Sequence, residues 1–98
     1  MDEWTQDQLA AAVDAYGLMQ LRSANARSVN KTLFYGGLAE LHGRTPKSWE
    51  YRMQNISHVL DQLQQPWLAR LRPAANVGRE VTGQLLKLLT GAPVEPAP

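Results

Sequence analysis

Residues 38–63 decide the fold; they read LAELHGRTPKSWEYRMQNISHVLDQL. Thr45 is typical of a helix N-cap, and Pro46 follows at the first helical position, where its missing N–H is not needed. The apolar residues that follow recur at spacings of 4, 3, 4 and 3: Trp49, Met53, Ile56, Leu60 and Leu63. This spacing predicts a long amphipathic helix, the third of the chain, which Pro66 stops.

A second helix is predicted before the third, separated from it by a short turn, with Asn30 as its N-cap. Its expected buried stripe, at i, i+4 and i+7, is Phe34, Leu38 and Leu41. Gly36 and Gly37 weaken the helix by about 1 kcal/mol each relative to alanine, and they indicate either a close approach of another helix or a break. Gly43 is placed to end the helix in a left-handed C-cap.

The first helix is predicted from about Gln6 to Leu21, with residues 22–29 as a loop or frayed helix end. Thr5 and Gln8 have the spacing of a capping box, and Trp4 lies at the staple position before it. The expected inward face comprises Leu9, Val13, Tyr16 and Gln20, with Ala12 and Met19 beside it.

Beyond Pro66 the pattern becomes irregular. Residues 67–75 are predicted to form a connector that packs back through Trp67, Leu68 and Leu71. A fourth helix is predicted over about residues 77–89, with Val81, Leu85 and Leu88 on one side. The sequence therefore predicts an all-α domain of about four helices over residues 1–90, and a disordered proline-rich tail over residues 91–98.

Composition excludes several classes of protein. The chain has 98 residues, enough for one domain with one core. It has no cysteine, which excludes a disulfide scaffold, a thiolate zinc site and a cysteine nucleophile. The start of the chain is acidic rather than basic, unlike a signal peptide, and the apolar runs are too short to cross a membrane. We expect a cytoplasmic protein that makes no membrane contact.

The net charge of +1 conceals an uneven distribution. Residues 1–19 carry a net charge of −4, residues 20–52 carry +4, and residues 53–98 carry +1. A basic segment in a nearly neutral chain is compatible with nucleic-acid binding, because local charge is what meets a phosphate. Random clustering on a solvated surface is the alternative.

The order of helix, Gly43, short turn, Thr45 and second helix predicts a helix-turn-helix corner over about residues 31–63. In DNA-binding versions the second helix enters the major groove. Ser48, Arg52 and Asn55 form one polar stripe of that helix. The predicted DNA contacts, chosen as side chains that pair with bases or phosphates, are Asn30, Lys31, Arg44, Lys47, Ser48, Tyr51, Arg52, Gln54 and Asn55.

An ordinary solvated outer face of a structural bundle is the alternative to this interpretation. Glu50 argues mildly for it, since phosphates repel a carboxylate.

Several strings of the sequence match a known pattern. Residues 29–31 read VNK, residues 43–60 read GRTPKSWEYRMQNISHVL, residues 66–68 read PWL and residues 72–78 read RPAANVG. Together with residues 4–16, they resemble the N-terminal domain that precedes HNH nuclease modules in some prokaryotic modification-dependent restriction endonucleases. A weaker likeness, through residues 43–48, is to Myb-type helices.

This resemblance covers most of residues 4–89 and implies a DNA-associated, restriction-related role in prokaryotic defence. The positions that match the motif are Asn30, Lys31, Arg44, Ser48, Glu50, Arg52, Gln54 and Asn55. The chain departs from the family because it contains no HNH signature. We expect a free-standing relative or a separated domain.

Catalysis has little support in the sequence. It has no glycine-rich phosphate loop and no nucleophile elbow, and His42 and His58 are 16 residues apart with no third ligand nearby. We therefore predict no enzymatic activity, cofactor, metal or small-molecule substrate. The alternative to duplex DNA as partner is a protein or a second copy of the chain. The acidic first helix, three tryptophans and proline-rich tail are compatible with such docking.

Overall fold

The structure, a computed structural model, describes residues 3–25 and 29–91. It contains α1 (Gln6–Ala24), α2 (Lys31–His42), α3 (Pro46–Gln62) and α4 (Arg79–Thr90), and these described residues form no strand. The all-α prediction with four helices is confirmed. The predicted tail beyond Gly91 lies outside the described residues, as does part of the predicted loop between α1 and α2.

The helix starts follow from local side-chain chemistry. Thr5 and Gln8 form the predicted capping box: the Thr5 hydroxyl accepts from the Gln8 amide at 3.0 Å, and the Gln8 side chain accepts from the Thr5 amide at 2.9 Å. Thr45 caps α3 in the same way, accepting from the Ser48 amide at 3.1 Å. Helix α1 runs three residues further than predicted, and Asn25 bonds the Leu21 carbonyl through both its backbone and side-chain N–H groups.

The core lies between α3 and the elements around it. Its fully buried apolar side chains are Leu9, Ala12, Tyr16, Met19, Trp49, Met53, Ile56, Val59, Leu71 and Leu85. The predicted stripe of α3 is confirmed through Leu60, whereas Leu63 is only half-buried because α3 already ends at Gln62. Pro66 therefore lies beyond the end of the helix rather than at it.

Helix α2 packs through a side that coincides only in part with the predicted stripe. Its buried residue is Tyr35, while Phe34 and Leu38 are half-buried and Leu41 is 80% exposed. The inward side is shifted toward Tyr35, so that Phe34 and Leu38 still contact the core while Leu41 faces solvent. The sequence could not show this shift, because α2 is apolar around most of its circumference.

The glycines of α2 also differ from expectation. The helix continues through Gly36 and Gly37, and a Cβ built on either would meet no atom of the described residues within 4 Å. Neither a break nor a close helix contact explains them. Gly43 ends α2 at a positive φ of 85°, but its ψ of −171° is not left-handed helical as predicted.

The connector packs back onto the helices as predicted. Leu71 is buried, and Trp67 and Leu68 pack partly against the core. The Tyr16 hydroxyl accepts from the Leu68 amide at 2.9 Å and bonds the Ser57 hydroxyl at 2.7 Å. Within the described part of the chain, no helix combines the length and apolarity needed to cross a membrane.

Candidate nucleic-acid interface

The turn between α2 and α3 comprises three residues, Gly43 to Thr45, and is fixed from two sides. The Gln8 amide group donates to the His42 carbonyl at 2.9 Å, and the Trp49 indole donates to the Gly43 carbonyl at 2.8 Å. Arg44 has a φ of 68°, unusual for a residue with a side chain. The start of α3 is thereby held against α1.

Arg44 is directed across the N-terminal segment. Its Nε donates to the Gln8 side-chain oxygen at 3.2 Å, and its Nη2 donates to the Glu3 carbonyl at 2.8 Å. Its guanidinium carbon lies 4.3 Å from the centroid of the Trp4 ring, within the range of a cation–π contact. Gln8 therefore serves both the α1 cap and the position of this arginine.

Arg52 reaches the same ring from α3, with its guanidinium carbon 4.6 Å from the Trp4 centroid. Trp4 packs edge-on against Trp49, with 4.7 Å between ring centroids. Arg52 donates from Nη1 to the Asn55 side-chain oxygen at 2.9 Å. We call Trp4, Arg44 and Arg52 the arginine–tryptophan cluster.

Arg52 carries a positive charge that no carboxylate of the described residues neutralises. Within the described residues its Nε is buried without a hydrogen-bond partner, and it forms no salt bridge. Burial lowers the pKa of Arg52, and the neighbouring positive charge of Arg44 lowers it further, while Tyr51 acts in the opposite direction. An anion placed here would reduce the repulsion between the two guanidinium groups.

A shallow groove of about 380 Å³ adjoins the cluster at the start of α3. It is lined by Trp4, Thr45, Lys47, Ser48, Glu50, Tyr51, Arg52 and Gln54. Lys47 is exposed in the first turn of α3. The Glu50 carboxylate lies 3.9 Å from the Lys31 ammonium, so its charge is partly offset. Six of the nine residues predicted from sequence thus lie in or beside this groove.

Asn55 is a correction to the predicted contact surface. It is 0% exposed, so it does not share an exposed stripe with Ser48 and Arg52. Its amide group donates to the Ala74 carbonyl at 2.7 Å while its oxygen accepts from Arg52. The connector covers this side of α3, and Asn55 cannot reach a base in this conformation.

The same connector segment lies along the neighbouring α3 residues. The Tyr51 hydroxyl donates to the Asn76 carbonyl at 3.0 Å, and the Gln54 carbonyl accepts from the Ala74 amide at 3.1 Å. Tyr51 remains 39% exposed. Two strings that the sequence pattern treated separately, residues 43–60 and 72–78, therefore meet in the fold.

Three other predicted residues have local roles. Asn30 caps α2 by accepting from the Leu33 amide at 3.2 Å and does not line the groove. Lys31 approaches the groove only through its ion pair with Glu50. Ser48 bonds the Thr45 hydroxyl at 2.9 Å, within the cap of α3.

Sequence reasoning missed Trp4 and Gln8 as parts of the site. The sequence pattern places both at the start of α1, and both lie there in the structure. The capping box does not use every hydrogen-bonding atom of the Gln8 side chain, and the staple does not use every part of the Trp4 ring. These spare groups are the signal for a second role. Their partners come from α3 and the turn, more than 30 positions away in sequence.

No protein family matches the sequence. No curated protein and no solved structure matches it either. In the described part of the chain, no group of three or more His, Cys, Asp or Glu residues is arranged to hold a metal ion.

Proposed function

We propose that this chain is a small duplex DNA-binding module whose contact surface is the groove at the start of α3 and the arginine–tryptophan cluster. The observation that carries the proposal is the pair of guanidinium groups within 4.6 Å of the Trp4 centroid, one of which, Arg52, has no carboxylate partner in the described residues. Phosphate oxygens supply the missing negative charge, because guanidinium groups bind them with charge-assisted hydrogen bonds.

The positions of the polar residues support an approach through the first turns of α3. Lys47 and Tyr51 are exposed there, and the three-residue turn resembles that of a helix-turn-helix. Further along the helix, Asn55 is buried, and residues 74–76 bond to Tyr51 and Asn55. We therefore assign contacts with DNA phosphates to Arg44, Lys47 and Arg52. Tyr51 and Gln54 are assigned contacts inside a groove of the DNA.

The resemblance to the DNA-associated domain of modification-dependent restriction endonucleases supports the same partner. It also suggests a prokaryotic defence or regulatory setting. The module would bring DNA to a nuclease or regulator.

The test is a fluorescence-anisotropy titration with random-sequence duplex DNA over a range of salt concentrations. Each phosphate contact contributes about 0.9 to the slope of log affinity against log salt. Lys47→Gln and Arg52→Gln are each expected to lower affinity roughly tenfold at low salt and to reduce the slope by about one contact.

Arg70→Gln is the matched control, because Arg70 is an exposed arginine that lines a different groove, beside Val29 and Lys31. It removes the same charge and is expected to change affinity much less. Circular dichroism verifies that each variant is folded. The proposal is wrong if the parent chain binds no duplex DNA at low salt, or if Arg70→Gln weakens binding as much as Lys47→Gln.

A protein-interaction role is the second candidate, and exposed leucines favour it. Leu18 and Leu21 of α1, and Leu33 and Leu41 of α2, are between 54% and 80% exposed. Exposed large apolar side chains concentrated on two adjacent helices are typical of a surface that another protein covers.

A further inference from the structure

The outer face of α1 carries features that the folded monomer does not use. Leu18 and Leu21 are more than half exposed. Gly17, beside them, has open space where a Cβ would stand, with no described atom within 4 Å. Glycine is among the least favourable residues inside a helix. The packing of the monomer therefore gives no reason for glycine at this position.

A groove of about 480 Å³ adjoins the two leucines on the side of α2. It is lined by Leu18, Leu21, Arg22, Asn25 and Phe34. Apolar side chains at helical spacing beside an open groove form a surface on which a second helix can pack.

The charges on this face are complementary to themselves. Asp14 is exposed one turn before Leu18, and Arg22 follows Leu21 directly. When a second copy of this helix face lies antiparallel to the first, the acidic end of one copy meets the basic end of the other. This self-complementarity is what a two-fold interface requires, and it favours a second copy over an unrelated partner.

We propose that two copies of the chain dimerise through α1, with the helices antiparallel about a two-fold axis between Leu18 and Leu21. Leu18 of each subunit packs against Leu21 of the partner subunit. A rise of 1.5 Å per residue then places Arg22 of the partner subunit about 4.5 Å along the axis from Asp14, within reach of its long side chain.

Gly17 has a role in this arrangement. It lies opposite Arg22 of the partner subunit, so the absence of a side chain lets the arginine stem cross toward Asp14. Arg22 has five N–H donors, which makes this contact compatible with its other bonds. The proposal rests on the second candidate function, and it does not depend on DNA binding.

The experiment is sedimentation equilibrium of the full chain from micromolar to millimolar concentration. Because the interface is a single helix face, we expect a reversible dimer that dissociates on dilution. Asp14→Arg and Arg22→Asp are each expected to weaken self-association at least tenfold. An equimolar mixture of the two variants is expected to form a heterodimer near parent strength, because both cross-pairs are then complementary.

Leu18→Glu is expected to abolish the dimer, whereas Leu41→Glu, at a still more exposed leucine of α2, is the control and leaves it unchanged. A parent chain that stays monomeric throughout overturns the proposal. So does a mixture of the charge variants that fails to recover association, or a Leu41→Glu variant that dissociates like Leu18→Glu. DNA titration of the same samples reports separately on the DNA-binding function.

Discussion

Burial decides what the polar residues of α3 do. Arg52 and Asn55 are neighbours on one helical turn, and their side chains are hydrogen-bonded to each other. Asn55 is fully buried under the connector, whereas Arg52 lines the open groove and lacks a carboxylate partner in the described residues. Asn55 therefore stabilises the fold, and only Arg52 is available to an anion.

The two buried tyrosines provide a paired prediction. The Tyr16 hydroxyl bonds Ser57 and the Leu68 amide, whereas the Tyr35 hydroxyl is buried without a partner among the described residues. Tyr16→Phe is expected to lower the free energy of unfolding by about 1–3 kcal/mol, because it leaves the Leu68 amide without its acceptor. Tyr35→Phe removes an unsatisfied hydroxyl and is expected to raise it by about 1 kcal/mol. Urea denaturation measures both; a loss of stability in Tyr35→Phe would contradict the assignment.

The same tyrosines predict how stability depends on pH. Burial raises the pKa of Tyr35, with a further contribution from Glu50, and burial also raises that of Tyr16. The folded state then holds protons that the unfolded state releases above the ordinary tyrosine pKa of 10.0. Their contribution to stability is complete below that pH and is lost as pH rises above it. Urea denaturation between about pH 9 and pH 12 is expected to show this fall, and Tyr35→Phe to reduce its slope.

At the scale of the elements, helix starts and helix faces differ in how far local sequence specifies them. Thr5 and Thr45 cap α1 and α3 through bonds to residues three positions away. The side of α2 that faces the core depends instead on the apolar surface that α1 and α3 present to it. A helix with leucine, phenylalanine and tyrosine on several sides can bury apolar surface in more than one orientation about its axis.

Gly36 tests whether α2 needs its glycines for the monomer fold. Because a Cβ there would meet no described atom within 4 Å, Gly36→Ala is expected to stabilise the chain by about 1 kcal/mol. Gly43→Ala is the contrasting variant, since a φ of 85° strains any residue with a side chain, and it is expected to destabilise. Urea denaturation compares them; equal effects of the two substitutions would refute this reading of α2.

At the scale of the whole molecule, the connector joins the helices into one unit. Leu71 places an irregular segment in the core, Leu68 bonds Tyr16 of α1, and Ala74 bonds α3 at two points. Residues 67–76 therefore stabilise the packing of α1 and α3 and also cover part of the face beside the groove.

Leu71→Ala is expected to destabilise the entire chain by about 2–5 kcal/mol, because it leaves a cavity at a site that is 1% exposed. The thermal midpoint is expected to fall by about 10 °C or more while unfolding remains one transition. Leu41→Ala, at an 80% exposed leucine, is expected to leave the midpoint nearly unchanged. Differential scanning calorimetry distinguishes this outcome from loss of the connector alone, which would give a separate low-temperature transition.

Local sequence is enough to predict the four helices, the caps at Thr5, Asn30 and Thr45, and the buried stripe of α3. These features depend on bonds and spacings within a few residues. The return of the connector through Leu71 was also readable, because a large apolar residue in an irregular segment has to be buried somewhere.

Long-range packing, in contrast, sets which side of α2 faces inward, the burial of Asn55 and the convergence of Arg44 and Arg52 on Trp4. Each of these depends on partners far away in sequence, such as Ala74 for Asn55 and Gln8 for Arg44. A polar helical residue looks the same in sequence whether water or another segment covers it. Which of the two occurs is set by the packing of the complete chain.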